Sequence, residues 1–224
     1  MLGTVQLRGT SGSFAPLSPQ LRGVLAALAL DAGSVVATSR LADQVWGAEP
    51  PTPTAMQVAI SKLRRVLAEV GEPDRVVSHP AGYCLDIDTE LVDALRFERC
   101  VHEARSLGSD WPAVVEILGE ALSLWTGDPL GGVPDSVAMI AERTRLEELH
   151  RLAVEDLLEA RLECGEHRRV APEAEALAAA EPLRERRWGL LLRALPRTTG
   201  PGPSSSKRLG SSRGPNCGSC TRRP

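Results

Sequence analysis

Aromatic side chains are scarce in this sequence: two Phe, one Tyr and four Trp among 224 residues, or 3%. Leu, Ala and Val must therefore fill the core. Cysteine is also sparse. Cys84, Cys100, Cys164, Cys217 and Cys220 are an odd number at irregular spacing, which argues against a disulfide framework. Cys217-Gly-Ser-Cys220 has the spacing of a redox or zinc-knuckle pair, yet no strand precedes it, no helix follows it and no second ligand pair accompanies it, so it reads as incidental. No apolar run approaches the roughly 18–20 residues of a membrane span, and the N-terminus lacks the charged-then-apolar order of a signal peptide. The expected location is the cytoplasm. There is no Gly-rich phosphate loop, no His-Glu-x-x-His and no Gly-x-Ser-x-Gly elbow, and His79, His102, His150 and His167 do not pair with a nucleophile. Neither enzymatic activity nor a cofactor or metal is expected.

Bulk positive charge is the last thing in short supply. The chain carries a formal charge of -3, and that mean conceals a gradient. Residues 196–224 hold five Pro, five Gly, six Ser, six basic side chains and no acid, the composition of a disordered basic tail. Residues 1–92 hold 7 basic and 9 acidic side chains, and residues 93–195 hold 13 and 20. Neither part is basic enough for a protein that coats nucleic acid without selectivity. A protein of this charge that binds DNA must concentrate its cations locally.

The first 92 residues supply such a place. Val5-Gln-Leu7 alternates before the turn-rich Gly9–Ser13 and reads as a short strand. Ser18-Pro19 is an N-cap with proline in the first turn, and Leu21, Val24, Leu25 and Leu28 form a one-sided stripe that predicts a helix ending at Asp31-Ala-Gly33. Ser34–Ala37 reads as a strand or extended link. Thr38 and Ser39 are candidate caps for a second helix carrying Leu41, Ala42 and Val45 on one face and closing at Trp46-Gly47, the Trp being a core residue. Pro50–Pro53 reads as a rigid connector.

A third helix is predicted from about Thr54 to Val70. At 100° per residue, Met56, Ala59, Ile60, Leu63, Val66, Leu67 and Val70 fall within an arc of about 120°. Gln57, Ser61, Lys62, Arg64 and Arg65 occupy the rest, so three of the segment's 7 basic residues are expected within four consecutive positions of one exposed face. Arg75–Ser78 and Tyr83–Ile87 read as a returning hairpin around His79-Pro-Ala-Gly82, with Tyr83 packed on it. Three helices followed by a hairpin is the order of a winged helix-turn-helix. Arg64 and Arg65 on a lone exposed helix would be solvated charges; on the helix before a wing they become candidate DNA contacts. Gln57 and Ser61 can hydrogen-bond base edges, while Lys62 and the arginines can reach guanine or phosphate. Thr54 opens this surface, and His79 at the turn is a candidate phosphate contact.

Beyond residue 92 the sequence is helical to Leu195. Phe97, Val101 and Ala104 share a face, as do Val114, Leu118, Ala121, Leu122 and Trp125. A loop follows over Thr126–Pro134, then a long helix from about Asp135 to Cys164, then helices over about His167–Ala180 and Leu183–Leu195. Helix pairs joined by short turns suggest a bundle or a tetratricopeptide-like array. Glu147 and Glu148 on the long helix read as solvated charges.

The run Thr54–Leu67, the Pro80-Ala-Gly-Tyr-x-Leu85 hairpin and Leu41-x-x-x-Val45-Trp46-Gly47 resemble the OmpR/PhoB-type winged helix, in the version found in the Streptomyces antibiotic regulatory proteins. Ala121-Leu-x-Leu-Trp125-x-Gly127, Arg145–Leu149 and Pro182–Arg186 are similar to the bacterial transcriptional activation domain that follows it in that family. The resemblance covers residues 2–195. It implies a mainly α protein with a winged-helix domain over 1–92 and a helical domain over 93–195. It also implies a sequence-specific transcriptional activator on double-stranded promoter DNA, at direct repeats near secondary-metabolite gene clusters. The helical domain would then mediate dimerisation on DNA or contacts with the transcription machinery, RNA polymerase included. It further implies another helix pair after Leu195, where this chain turns to Pro, Gly and Ser. GC-rich codons can be chosen for Ser204–Arg223 such that a one-base displacement encodes an amphipathic helix, so the tail is expected to be a reading-frame shift. The other reading of the whole is a helical-repeat interaction protein whose winged helix no longer binds DNA.

Overall fold

The computed structural model describes residues 1–9, 12, 14–49 and 51–195. Leu7–Arg8 (β1) pairs antiparallel with Phe14–Ala15 (β2), later than the strand expected at Val5–Leu7. The reason lies far along the chain: the Val5 N–H donates to the Gly131 carbonyl, so Leu2–Val5 is drawn to the helical part. Ser18 caps α1 (Pro19–Leu30) as its chemistry predicts, its hydroxyl accepting from the Leu21 N–H, and Leu21, Val24, Leu25 and Leu28 are all buried. Val35–Ala37 (β3) leads into α2 (Thr38–Trp46), and here the capping expectation fails. Ala37 occupies the cap position with no side-chain bond. The Thr38 N–H donates instead to the Ala81 carbonyl at 3.1 Å, so the hairpin turn takes the place of a capping side chain. Trp46 is half-buried against the core rather than enclosed in it.

The last residue of the expected proline connector belongs to the next helix. Thr52 caps α3 (Pro53–Glu69), accepting from the Ala55 N–H at 3.2 Å, and Pro53 sits in the first turn, where an N–H would lack a partner anyway. Val76–His79 (β4) and Gly82–Leu85 (β5) form the wing. With β3 they make an antiparallel sheet of order β3-β5-β4. Gly82 is required in it: a Cβ there would stand 1.9 Å from the Val36 carbonyl oxygen.

After a single 3-10 turn over Thr89–Leu91 come α4 (Asp93–Ser106), α5 (Trp111–Ser123), α6 (Val137–Glu163), α7 (His167–Ala180) and α8 (Glu185–Ala194). One apolar core runs from Leu2 through α1–α3 to Ala160, crossing the position where the sequence suggests a boundary. Several bonds close the seam. The Thr126 N–H and hydroxyl both donate to the Leu2 carbonyl, Thr4 forms a parallel bridge with Gly131, and the Ser136 hydroxyl donates to the Gln44 carbonyl at 2.6 Å while capping α6. Leu2 and Leu130 are fully buried there.

α8 is held to α6 by charge. Glu155 is 1% exposed, with Arg184 and Arg187 each 3.0 Å from its Oε1 and Arg186 at 3.7 Å from Oε2. Arg187 is itself 3% exposed and also donates to the Leu177 carbonyl. Glu148 is no free surface charge. Arg184 grips it through two 2.9 Å bonds and, with Arg151, holds its carboxyl below the usual range. Two of the motifs that carry the family resemblance, Arg145–Leu149 and Pro182–Arg186, are thus bonded to each other. Glu159 is likewise depressed, by Arg193 and Arg186.

His150 packs against Trp125 with ring centroids 4.3 Å apart and the rings tilted by 48°, and burial, then Arg151, lowers its pKa from the ordinary 6.5. A depressed His stabilises the fold in its neutral form, and that contribution disappears as pH falls below about 6.5. The depressed carboxylates lose theirs only below about 4.5. Thermal stability is therefore expected to be level above pH 7 and to fall in two stages on acidification. His150→Phe should remove the first stage and keep the second; a first stage that survives this substitution would place the acid sensitivity elsewhere.

Candidate nucleic-acid interface

The outer surface of α3 is fixed by its inner one. Met56, Ala59, Ile60, Leu63, Val66 and Leu67 are buried against α1 and the sheet, so the opposite arc must face out. At 100° per residue Thr54, Ser61 and Arg65 point within about 40° of one another, at the middle of that arc. Gln57 and Val58 flank them. All five are exposed. Arg65 is 75% exposed, with only a long 3.8 Å pairing to Glu69. Val58 was not expected at the interface: it lies outside the apolar arc and is 46% exposed, a signal that the helical wheel already contained.

Lys62 and Arg64 do not stand together. Two residues apart on a helix, they project about 160° from each other across the exposed arc. Lys62 is exposed, and no ion pair or side-chain hydrogen bond engages it among the described residues. Arg64 is half-buried. Its Nε donates to the Val76 carbonyl at 2.9 Å and its Nη2 to the Ser78 hydroxyl at 2.9 Å, so its guanidinium lies on the wing. His79 is exposed at the end of β4, beside the wing's turn. The structure thus brings Thr54, Gln57, Ser61 and Arg65 onto one open surface, sets Lys62 and His79 at its margins, and takes Arg64 out of it.

The shape is that of an element able to enter a major groove: a 17-residue helix, about 26 Å long, open on one side, with a β hairpin beside it. Its polar groups are the donors and acceptors of Thr54, Gln57 and Ser61, with the Arg65 cation at the middle of the arc and Lys62 at one margin. Among the described residues no group of three or more His, Cys, Asp and Glu is placed to hold a metal, and no helix is long and apolar enough to cross a membrane.

Comparison with known proteins agrees with this architecture. Residues 12–85 match the family model described as transcriptional regulatory protein, C terminal, and residues 92–202 match the bacterial transcriptional activator domain. The chain is 32% identical over 209 residues to the regulatory protein DnrI of Streptomyces peucetius, covering 88% of this chain and 77% of that protein. It is 36% identical over 204 residues to the regulatory protein AfsR of Streptomyces coelicolor, of which it spans only 20%. Among solved structures, Mycobacterium tuberculosis EmbR in complex with a low-affinity phosphopeptide superimposes with a TM-score of 0.77 at 30% identity, over 87% of this chain and 53% of EmbR. Fold and matched models define the class: a transcriptional regulatory winged helix joined to a bacterial transcriptional activator domain. The chain belongs to the family of Streptomyces antibiotic regulatory proteins.

Proposed function

We propose that this protein is a cytoplasmic, sequence-specific DNA-binding activator of transcription, acting by binding and not by catalysis. The observation that carries the reading is the open arc of α3, where Thr54, Gln57, Ser61 and Arg65 stand side by side with no intramolecular hydrogen bond competing for their side-chain atoms among the described residues. Gln57 suits adenine, Arg65 guanine or phosphate, and Val58 a thymine methyl. Lys62 and His79 lie where phosphates flank the groove, and such contacts set register without reading sequence.

Membership of the family supports target sites near promoters of secondary-metabolite genes, arranged as direct repeats, with two copies of the chain bound side by side. The helical body would then face RNA polymerase. The chain spans 20% of AfsR and 53% of EmbR.

Selection of bound sequences from a random DNA pool by the whole chain tests the reading. A recurring motif, enriched by the wild type and lost by Gln57→Ala with Ser61→Ala, is the expected result. Enrichment of no motif would favour the other reading, a helical-repeat interaction protein whose winged helix has stopped recognising DNA.

A further inference from the structure

β4 is the edge strand of the wing sheet. The Arg75 carbonyl accepts from the Asp86 N–H, so by the alternation of an antiparallel ladder the next residue, Val76, turns its carbonyl to the open edge. Ser78, two residues on, faces the same way. Arg64 meets this pair: its planar guanidinium spans Val76 O and Ser78 Oγ with two bonds of 2.9 Å, one to the backbone and one to the side chain. Such a fork has a fixed geometry and is far less adaptable than a lysine would be. The other strand of the wing, β5, is fixed by β3, and the turn by the Thr38 N–H bond to Ala81. The wing is thus clamped on one side to the start of α2 and on the other, through one residue, to α3.

We infer that Arg64 is a positioning residue, which fixes the wing at a set distance and angle from α3 and touches no DNA itself. A winged helix engages one duplex with two elements at once, the helix in the groove and the hairpin on the backbone, so their relative placement decides whether both sets of contacts form together. Arg64 also covers the exposed edge carbonyl of β4, which would otherwise be open to pairing with another strand. Its neighbour Arg65, one position along the same helix, points into the arc that faces DNA. The two adjacent arginines therefore have different tasks, which their sequence does not distinguish. For its DNA arm this inference rests on the function proposed above; its second arm does not.

Binding of the full chain to its selected DNA, measured against salt, separates the two tasks. Arg64→Ala is expected to weaken binding about tenfold, as for one charge-assisted contact, with the slope of log affinity against log salt unchanged. Ser78→Ala should act in the same direction with a smaller effect, and the double variant should lose less than the two singles combined. Arg65→Ala should make the slope shallower by about 0.9 if it neutralises a phosphate. In the free protein, amide exchange over residues 76–82 should quicken in Arg64→Ala while α1 and α6 keep their protection. A slope shallower by about 0.9 in Arg64→Ala would make Arg64 a phosphate contact, and unchanged exchange in the wing would show that it does not clamp; either result overturns the inference. If the wild type binds no DNA while wing exchange still responds to Arg64→Ala, the clamp stands and the functional reading fails.

Discussion

Glu155→Ala is expected to cost about 3–5 kcal/mol, because it leaves Arg187 buried at 3% exposure beside an empty carboxylate position and deprives Arg184 and Arg186 of their shared partner. In a domain of this size that is about a 10 °C fall in Tm, and it approaches the whole stability of many natural proteins. The cost comes more from the buried cation, left with a 3.5 Å pairing to the half-exposed Glu181 and the bond to the Leu177 carbonyl, than from the lost attraction. Replacing both members, Glu155→Leu with Arg187→Met, should therefore be much milder than either single change, since a buried ion pair and an apolar pair of similar volume are of similar stability. Thermal unfolding of the three variants checks this. A double variant as damaged as the single would mean that Arg184 and Arg186 hold α8 through Glu155 more strongly than the buried pair does.

The second large effect concerns the seam between winged helix and helical body. A chain cut after Val92 should lose cooperative unfolding, because Leu2, Val5, Val24, Leu41 and Val45 belong to a core that continues into Leu130, Val133 and Met139. Removing the helical body exposes that surface and deletes the partners of Leu2, Thr4, Val5 and Gln44. A unit of about 92 residues also buries a smaller fraction of its surface than the whole chain, and has less stability to lose. A milder probe keeps the whole chain: a Cβ on Gly131 would stand 3.0 Å from Thr4 Cα and 3.2 Å from its nitrogen. Gly131→Val is expected to destabilise by about 1–3 kcal/mol as backbone shifts to make room. Fragment 1–92 unfolding in a sharp two-state transition at the temperature of the full chain would refute the shared core.

This coupling also bears on function. Helix α2 touches α6 through the Gln44–Ser136 bond, and the Thr38–Ala81 bond joins the start of α2 to the wing turn. The helical body is thus bonded to the winged helix, and on the function proposed above binding should be a property of the whole chain.

The sequence made some of this legible and concealed the rest for identifiable reasons. Ser18-Pro19, the α1 stripe and the apolar arc of α3 are local signals with a single solution, and the structure repeats them. The bounds of α6–α8 follow from period and breakers to within two residues at their ends, and α4 and α5 carry the apolar faces read around Phe97 and Leu118. What stayed hidden depends on distant partners. Leu2–Val5 looks like the start of a strand until Gly131 comes to pair with it. Glu155 looks like any acid on a long charged helix, because the arginines that enclose it lie about thirty residues away on α8. On α6 the buried Met139, Leu146, Ala153, Leu157 and Ala160 share one face, whereas Leu158 and Leu162 are buried on the opposite side with Val170, Ala174 and Leu190, a second contact that one stripe does not foretell. α8 buries Leu190 and half-buries Leu191, while Trp188 and Leu192 on it, and Leu183 and Leu195 beside its ends, are exposed. At the candidate site, the exposed arc was legible as a whole, but the one rotamer that lays Arg64 on the wing was not. The proposed tail of residues 196–224 lies outside the described residues.

That the open arc of α3 faces DNA is tested most directly by the salt dependence of binding for the double variant Lys62→Ala, Arg65→Ala. Both residues are exposed, so the fold should persist, as circular dichroism and Tm will show. The account predicts at least a tenfold loss of affinity for the selected site at moderate salt, and a slope of log affinity against log salt shallower by about 0.9 for each phosphate contact removed. A folded double variant that binds the same site with the same affinity and the same slope would contradict it.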